Sequence, residues 1–152
     1  MFNGIIFNKG IVNKIKKSTK GVNIFVKSNL KVKNKDLGVS ISCDGVCLTM
    51  VSLKNKVMEF YLLKETMNRS KFKNISIGDK VNLELPLKYG QKISGHLCQG
   101  HVDCTSKVNK IIKKGKSRIY DFSIDKNNLS YLIPKASILL NGVSLTISKV
   151  TK

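Results

Sequence analysis

Apolar residues along this chain recur mostly at every second position, in short runs that polar turns separate. Such alternation is typical of a β-strand with one buried face. Valine, isoleucine and other β-branched or aromatic residues dominate the runs, which favours strands over helices. We therefore predict six strands in the first part of the chain: Ile5–Ile15, Gly21–Lys27, Val39–Cys43, Val46–Leu53, Val57–Leu63 and Lys80–Leu85.

One stretch of the chain occurs twice. Asp44–Thr49 reads Asp-Gly-Val-Cys-Leu-Thr, and Asn141–Thr146 reads Asn-Gly-Val-Ser-Leu-Thr, 97 positions later. A second pair of similar segments, Asn3–Ile6 and Gln99–Val102, is 96 positions apart. Two pairs with nearly the same offset indicate a duplicated unit, and two copies of a ligand-binding unit can hold two ligands in one molecule.

Both copies contain a strong hairpin signal, because Asp-Gly and Asn-Gly tolerate the positive φ angles of a tight two-residue turn. On the strand after the turn, side chains alternate between the two faces of the sheet. Cys47 and Thr49 therefore share one face, and Leu48 lies on the other. Ser144 and Thr146 match them in the second copy. A small polar face opposite an apolar one is what a ligand-lining strand requires.

The order of strands and turns predicts an all-β fold, with a small antiparallel Greek-key barrel in the first copy. Short helical turns are expected at Lys64–Arg69 and near Asn127–Ile133. We divide the chain into a first unit at residues 1–93 and a second at 94–152. The second unit contains predicted strands at Gly100–Ile112, Ser117–Ile124 and Ser137–Val150. It has no counterpart of residues 57–85, so we expect an incomplete barrel with an open edge.

The chain has 152 residues, and its hydrophobic fraction of 41% is enough for a packed core. No apolar run reaches the roughly 18 residues of a membrane helix, and the start shows no signal-peptide pattern. The four cysteines match no zinc-binding spacing; they are Cys43, Cys47, Cys98 and Cys104. We therefore expect reduced thiols, no metal, no membrane partner and a cytoplasmic location.

The net charge of +19 comes almost entirely from lysine, because only Arg69 and Arg118 among the 28 basic residues are arginines. Lysine-rich surfaces bind nucleic acid by releasing counterions from its phosphates. Arginine, however, is the side chain that best contacts bases and clamps phosphates, and the lysines are scattered along the chain. We expect weak, salt-sensitive adhesion to RNA but no specific nucleic-acid partner.

Five segments occur together in an order that is highly specific. They are Met1–Ile5, Asp44–Thr49, Lys64–Thr66, Gly95–Asp103 and Asn141–Thr146. In this order they resemble the riboflavin synthase family, whose members contain two lumazine-binding repeats, and the resemblance extends over essentially the whole chain. It implies two tandem six-stranded antiparallel barrels, the second incomplete here, and a C-terminal helix that assembles a homotrimer.

The resemblance also implies a reaction, the last step of riboflavin biosynthesis. One molecule of 6,7-dimethyl-8-ribityllumazine donates a four-carbon unit to another, which gives riboflavin and 5-amino-6-ribitylaminouracil without a cofactor. In the family, the active site lies between the first barrel of one subunit and the second barrel of its neighbour. The chemistry needs two oriented rings, modest acid–base assistance and stabilised negative charge rather than a metal.

The resemblance assigns two substrate pockets. The first would be formed by Gly4, Ile5, Ile6, Cys47, Leu48, Thr49, Tyr61, Leu62, Leu63, Lys64, Glu65 and Thr66. The second would be formed by Gly100, His101, Val102, Lys135, Ser144, Leu145 and Thr146. Backbone amides at strand ends and small hydroxyl groups would hold the oxygens and nitrogens of the pteridine.

Three side chains in or beside these pockets are candidates for the chemistry. Ser40 and Cys47 would assist nucleophilic addition at the acceptor ring, and His101 would give general acid–base assistance, since imidazole titrates near neutral pH. Several of the site residues also have a purely structural interpretation. Cys47 could be a small buried apolar residue, Lys135 a solvated charge, and Glu65 a capping carboxylate.

The chain departs from the family pattern after the second hairpin. The first repeat has a turn at 64–66 and a strand at 78–82, and these have no counterparts in the second repeat. We expect residues 1–152 to fold the first barrel and bind one lumazine or riboflavin, but to turn over slowly. One competing hypothesis is a non-catalytic lumazine-binding module. Another is a basic RNA-associated protein that is indifferent to pteridines and binds with a steep salt dependence.

Overall fold

The computed structural model of the chain describes residues 1–151. The first barrel strands and the α-helix are β1 Asn8–Lys17, β2 Gly21–Ser28, β3 Ser40–Cys43, β4 Val46–Lys54, β5 Val57–Leu63, α1 Lys64–Arg69 and β6 Lys80–Glu84. The later strands are β7 Lys107–Lys114, β8 Ser117–Ser123, β9 Ser137–Leu140 and β10 Val143–Thr146. Short 3₁₀ helices occupy Asn34–Asp36, Lys71–Asn74 and Lys126–Tyr131.

The first six strands close into a barrel in the order β1-β2-β5-β4-β3-β6. Every pair in the barrel is antiparallel, and β6 completes the closure by pairing with both β1 and β3. The long step from β2 to β3 and the return of β6 between β3 and β1 give a Greek-key path. The predicted six-stranded antiparallel barrel is therefore confirmed for the first repeat.

The core of the barrel consists of the inward-facing residues of all six strands. Because successive side chains on a strand point to opposite faces, alternate residues are buried. In β5, Met58, Phe60 and Leu62 are at most 1% exposed, whereas Tyr61 and Leu63 face outward. Outside the strands, Phe72 belongs to the same buried cluster. The inside of the barrel is thus packed with side chains, which leaves its outer surface and strand ends for a ligand.

The N-terminal end of the barrel differs from the prediction. The first strand was expected at Ile5–Ile15, but β1 begins at Asn8 and has a bulge between Val12 and Lys14. In the segment before β1, the amides of Asn3 and Gly4 donate to the Glu84 side-chain carboxylate instead of to the backbone carbonyls of a strand.

The second half of the chain forms two separate hairpins, β7–β8 and β9–β10. Residues 94–151 contain no closed second barrel. The prediction of one strand over Gly100–Ile112 is wrong for its first part, because the carbonyl of Gly100 accepts a hydrogen bond from Cys47 of the first repeat. The run Ser137–Val150 is divided by the predicted Asn141–Gly142 turn. No helix within residues 1–151 combines the length and apolarity needed to cross a bilayer.

Candidate functional site

The β3–β4 hairpin presents a row of small polar side chains on the outside of the barrel. Ser40 pairs with Thr49, and Ser42 pairs with Cys47, so the four side chains are cross-strand neighbours on one face. Thr49 is exposed and Cys47 half-buried, whereas Leu48 is only 4% exposed on the opposite, core face. The predicted alternation of polar and apolar faces is confirmed.

The β9–β10 hairpin repeats this arrangement at a constant offset. Thr146 pairs with Ser137, as Thr49 does with Ser40, and Ser144 occupies the position of Cys47. One position differs, because Leu139 stands opposite Ser144 in the second hairpin. The second face is therefore less polar than the first.

The two hairpin turns lie against each other. Asp44 and Asn141 both have φ 47°, and the glycines that follow, Gly45 and Gly142, have φ 86° and 81°. A Cβ atom placed on Gly45 would lie 3.0 Å from the amide nitrogen of Gly142, and one on Gly142 would lie 2.9 Å from that of Gly45. Glycine is required here both for the left-handed backbone and for the close approach. The contact relates the repeats by an approximate twofold arrangement.

The repeats exchange backbone hydrogen bonds around this contact. The amide of Cys47 donates to the carbonyl of Gly100 at 2.8 Å, and the amide of Ser144 donates to the carbonyl of Gly4 at 2.8 Å. Gly4 and Gly100 have φ 75° and 85°. A Cβ on Gly4 would lie 2.7 Å from that of Ser144, and one on Gly100 would lie 2.6 Å from that of Cys47. Each hairpin is thus bordered by a glycine segment from the other repeat.

The N-terminal arm, Phe2–Gly4, is buried between the two repeats. Phe2 and Cys98 form a reciprocal backbone pair with N···O distances of 2.8 and 2.9 Å. On the other side, Glu84 Oε1 accepts from the amide of Asn3 at 2.8 Å, and Oε2 accepts from the amide of Gly4 at 3.1 Å. The arm is therefore held by hydrogen bonds to Cys98 on one side and to Glu84 on the other.

The two histidines occupy different environments. His96 Nδ1 lies 2.7 Å from Ser144 Oγ, and the His96 amide donates to the carbonyl of Asn3 at 3.2 Å. His101 is exposed, one residue after the carbonyl that receives the Cys47 amide. His96 is thus hydrogen-bonded to Ser144, a predicted site residue, whereas the His101 imidazole is open to solvent.

The cysteines are free thiols, and no three His, Cys, Asp or Glu side chains of residues 1–151 lie close enough to hold a metal ion. Burial, followed by the charges of Asp44 and Cys47, raises the pKa of Cys43 well above its ordinary value of 9.0. Burial and the charge of Glu84 also raise the pKa of Cys98. Since the thiolate is the nucleophile, these two buried thiols are poor candidates for chemistry.

A buried charge stands at the base of the first hairpin turn. Asp44 is 6% exposed; its Oδ1 accepts from the Asn82 amide at 2.8 Å, and its Oδ2 lies 2.7 Å from Lys71 Nζ. Burial raises the pKa of Asp44 above its ordinary value of 3.8, although Lys71 and the Asn82 amide oppose this shift. The Asn82 side chain continues the network by donating to the carbonyl of Asn141 at 2.9 Å.

Asp44→Asn should remove a pH dependence of stability. Because the folded-state pKa is raised, the Asp44 contribution to stability is complete below about pH 3.8 and is lost as the pH rises through that pKa. The wild type should therefore lose up to about 1.4 kcal/mol relative to the variant for each unit of the shift. Urea unfolding between pH 3.5 and 7 measures the difference, and an opposite trend would contradict the expectation. Asn141 already occupies the equivalent turn, so the substitution suits the backbone.

Lys135 precedes the second hairpin in an uncommon conformation. Its φ is 70°, and its amide donates to the carbonyl of Ile147 at 2.7 Å. The equivalent residue of the first repeat is Gly38, which has φ 88° and donates in the same way to Met50. A left-handed lysine where the other repeat uses glycine is strained, and such strain is concentrated at functional sites.

The remaining predicted segment joins β5 to α1. The Tyr61 and Leu63 side chains are exposed, whereas Leu62 is fully buried in the barrel and can offer only its backbone to a ligand. Glu65 forms an exposed ion pair with Arg69 one turn later in α1. The carbonyl of Thr66 accepts from Ser70 Oγ at 2.6 Å, which fixes the end of this helix.

Comparison with known proteins indicates the same family as the sequence motifs. The lumazine binding domain family model matches residues 3–86 and 99–152. Riboflavin synthase of Bacillus subtilis is 32% identical over 152 residues, which are 100% of this chain and 71% of that protein. The Brucella abortus enzyme is 32% identical over 155 residues, covering 99% of this chain and 77% of that protein.

The chain belongs to the riboflavin synthase family. Among solved structures, LumP complexed with riboflavin matches this family member with a TM-score of 0.84 and 24% identity, over 99% of this chain and 82% of that one. LumP complexed with 6,7-dimethyl-8-(1'-D-ribityl) lumazine matches with a TM-score of 0.81 and 23% identity, over 99% and 81%. These two structures establish a common fold.

In this riboflavin synthase family member, the segments are brought together differently from the sequence-based division. That division grouped Gly4 with Cys47 and Gly100 with Ser144. The backbone hydrogen bonds join Cys47 to Gly100 and Ser144 to Gly4 instead. Each hairpin is therefore hydrogen-bonded to the glycine segment of the other repeat.

Sequence reasoning missed three buried polar residues beside these segments. Glu84 holds the N-terminal arm. Asn3 Oδ1 and Ser42 Oγ are buried and have no hydrogen-bond partner within residues 1–151. The serine could have been found from the alternation that places Ser40 and Ser42 on the same face of β3, whereas nothing local indicates the role of Glu84.

Two surface cavities border the barrel without containing the predicted catalytic side chains. One, of about 530 Å³, is lined by residues of β1 and β2 and by the lysines Lys9, Lys27 and Lys56. The other, of about 630 Å³, borders Asn3, Glu84 and the segment that follows β6. Of the predicted site residues, Ile5 lines the second of these cavities, whereas Ser40, Cys47 and His101 line neither.

Proposed function

We propose that this chain is a riboflavin synthase that acts on two molecules of 6,7-dimethyl-8-ribityllumazine. The observation that carries the proposal is a reciprocal pair of backbone hydrogen bonds between the repeats, from Cys47 to Gly100 and from Ser144 to Gly4, each with an N···O distance of 2.8 Å. It creates two similar polar surfaces in one chain of this family. Two similar surfaces suit a reaction whose two substrates are the same molecule.

These hydrogen bonds support a revised assignment of residues to the two pockets. The first pocket combines Cys47, Leu48 and Thr49 with Gly100, His101, Val102 and the segment 61–66. The second combines Gly4, Ile5 and Ile6 with Lys135, Ser144, Leu145 and Thr146. The side chains of Ser40, Cys47 and Thr49 are adjacent on one face, and backbone groups of both repeats border them. Such convergent polar groups orient a small planar ligand.

The proposed chemistry follows from the ring system. The 7-methyl group of the lumazine is acidic because its carbanion delocalises into the pteridine. His101 supplies acid–base assistance, and Cys47 or Ser40 assists addition at the acceptor ring. One lumazine gives up a four-carbon unit and leaves as 5-amino-6-ribitylaminouracil, while the other gains the unit and becomes riboflavin. The atoms of two substrates equal those of two products, so no external oxidant or reductant is needed.

We further propose two lumazine-binding units at residues 1–93 and 94–152, and the matched ranges 3–86 and 99–152 support this division. A cytoplasmic location and a homotrimer follow from the family resemblance. Sedimentation of the purified chain tests the trimer.

A second candidate is a non-catalytic binding module. The solved structures of LumP support this candidate, because LumP was solved in complex with 6,7-dimethyl-8-(1'-D-ribityl) lumazine, riboflavin and flavin mononucleotide. On this hypothesis the chain would hold a pteridine without converting it.

A fluorescence titration with the lumazine, followed by riboflavin appearance in the same sample, tests both candidates. We expect saturable binding of lumazine and slow riboflavin formation that depends on the chain. Binding without any riboflavin would favour the binding module. An absence of binding would contradict both, and salt-dependent retention on RNA without pteridine binding would favour the RNA-associated class.

Lys135→Gly should stabilise the protein and weaken lumazine binding. Glycine relieves a left-handed conformation that costs other residues about 1–2 kcal/mol, so the free energy of unfolding should rise by about 1 kcal/mol. Loss of the lysine from the second pocket should reduce affinity about tenfold to hundredfold, because a hydrogen bond to a charged group contributes about 1.5–3 kcal/mol. Urea unfolding and the fluorescence titration measure the two effects.

Lys56→Gly is the matched control for this prediction. Lys56 also has a positive φ, 62°, in the turn between β4 and β5, and its Nζ lies 3.1 Å from Asn29 Oδ1. It lies outside both proposed pockets. The control should gain stability without losing affinity, and equal affinities for the two variants would contradict a ligand role for Lys135.

A further inference from the structure

Glu84 is a buried carboxylate with an unusual pair of partners. It lies at the end of β6, is 8% exposed, and uses one oxygen for the amide of Asn3 and the other for the amide of Gly4. No lysine, arginine or histidine of residues 1–151 forms an ion pair with it, since the ion pairs present involve Glu65 and Asp44. Two N–H donors compensate this buried charge, as is required when a carboxylate leaves water.

The two amides belong to Asn3 and Gly4, whose carbonyls accept hydrogen bonds from the second repeat. The carbonyl of Gly4 accepts the Ser144 amide at 2.8 Å, and Ser144 Oγ lies 2.7 Å from His96 Nδ1. The carbonyl of Asn3 in turn accepts the His96 amide at 3.2 Å. The arm held by Glu84 therefore contacts both members of the His96–Ser144 pair.

The direction of these bonds suits a carboxylate. Asn3 and Gly4 both present N–H donors, so both oxygens of Glu84 must accept. A glutamine at this position offers one accepting oxygen, and its amide nitrogen would face the second N–H. The isosteric change thus keeps the volume but removes one hydrogen bond and leaves an opposed donor pair.

We propose that Glu84 is a positioning residue, which holds the Gly4 carbonyl against the Ser144 amide and so sets the place of Ser144 in the second pocket. The proposal rests on the proposed function, because that function makes Ser144 part of a pteridine site. It also connects the first barrel to the second pocket, since the carboxylate belongs to β6 and its effect is exerted on β10.

The test compares Glu84→Gln with Glu59→Gln in the whole chain. Glu59 is a suitable control because its carboxylate also accepts two hydrogen bonds, from Asn23 Nδ2 at 2.9 Å and Ser52 Oγ at 2.7 Å, on the outside of the barrel. Amide hydrogen exchange is measured by NMR at Gly4, Ser144 and the core residue Ile24. Lumazine affinity is measured by fluorescence with the same samples.

We expect Glu84→Gln to accelerate exchange at Gly4 and Ser144 at least tenfold and to weaken lumazine binding at least tenfold, with exchange at Ile24 unchanged. Glu59→Gln should leave exchange at Gly4 and Ser144, and the affinity, as in the wild type. A general loss of stability would accelerate Ile24 as well, so this pattern separates positioning from a merely structural role.

Unchanged exchange at Ser144 in Glu84→Gln would overturn the proposal, as would faster exchange with unaltered affinity. If the wild type bound no lumazine, the proposed function would fail, while exchange at Ser144 would still decide whether Glu84 positions that residue. If Glu84→Gln did not fold, Glu84→Asp would carry the same comparison, because it keeps two accepting oxygens but withdraws them by one methylene.

Discussion

Gly100→Ala should reduce lumazine affinity roughly hundredfold while the first barrel stays folded. Gly100 has φ 85°, and its carbonyl receives the Cys47 amide. An added Cβ would lie 2.6 Å from Cys47 Cβ and 3.1 Å from Phe2 Cε2. The left-handed conformation costs alanine about 1–2 kcal/mol, and the steric overlap costs about 1–3 kcal/mol more. Since 1.4 kcal/mol is a factor of ten, the segment carrying His101 would leave the pocket.

Gly90→Ala is the control for this substitution. Gly90 also has a positive φ, 78°, but nothing lies within 4 Å of the position that its Cβ would occupy. It therefore bears the backbone strain without the contact. Fluorescence titration of both variants should give a large loss for Gly100→Ala and wild-type affinity for Gly90→Ala. Equal affinities would show that the contact between Gly100 and Cys47 does not build the pocket.

The barrel could be predicted because each strand carries its own local pattern. The alternation of β5 puts Phe60 inside and Tyr61 outside, and it is visible in the sequence without knowledge of any partner strand. The Asp44–Gly45 turn is equally local, since it depends on two residues that tolerate positive φ. Closure by β6 followed from the number and order of the strands rather than from one residue.

The arrangement of the site could be predicted only in part, because the decisive bonds join distant residues. Cys47 and Gly100 are 53 positions apart, and Glu84 is 81 positions from Asn3. No periodicity indicates which glycine segment will border which hairpin. The matched glycines at positions 4 and 100 were an available signal, since glycine often marks close backbone approach. That signal predicts a contact but does not identify its partner.

The prediction also failed where the backbone changes partners. Residues 5–7 and 100–106 were predicted to be the starts of strands, yet β1 and β7 start later, at Asn8 and Lys107. In both places, the segment lies next to a glycine whose carbonyl bonds to the opposite repeat. Tertiary hydrogen bonds therefore outweighed local β-propensity, which is a weak preference compared with context.

Phe60→Ala should unfold the barrel or lower its melting temperature by about 15–30 °C. Phe60 is 0% exposed and pairs with Ile24 of β2 and Met50 of β4, so its ring lies in the middle of the core. Removing a buried phenylalanine costs about 3–5 kcal/mol, because the transfer energy is lost and a cavity is left. A domain of this size loses about 4–8 °C for each kcal/mol, and its total stability is typically only 5–15 kcal/mol.

The adjacent substitution, Tyr61→Ala, separates folding from binding on the same strand. Tyr61 is 37% exposed on the outside of β5, so we expect its loss to cost about 1 kcal/mol or less. It belongs to the proposed first pocket, and the variant should bind lumazine less tightly while melting near the wild-type temperature. Calorimetry and fluorescence titration measure the two effects. Equal melting temperatures for the two variants would contradict the opposite orientations of these neighbouring side chains, on which both the core and the pocket depend.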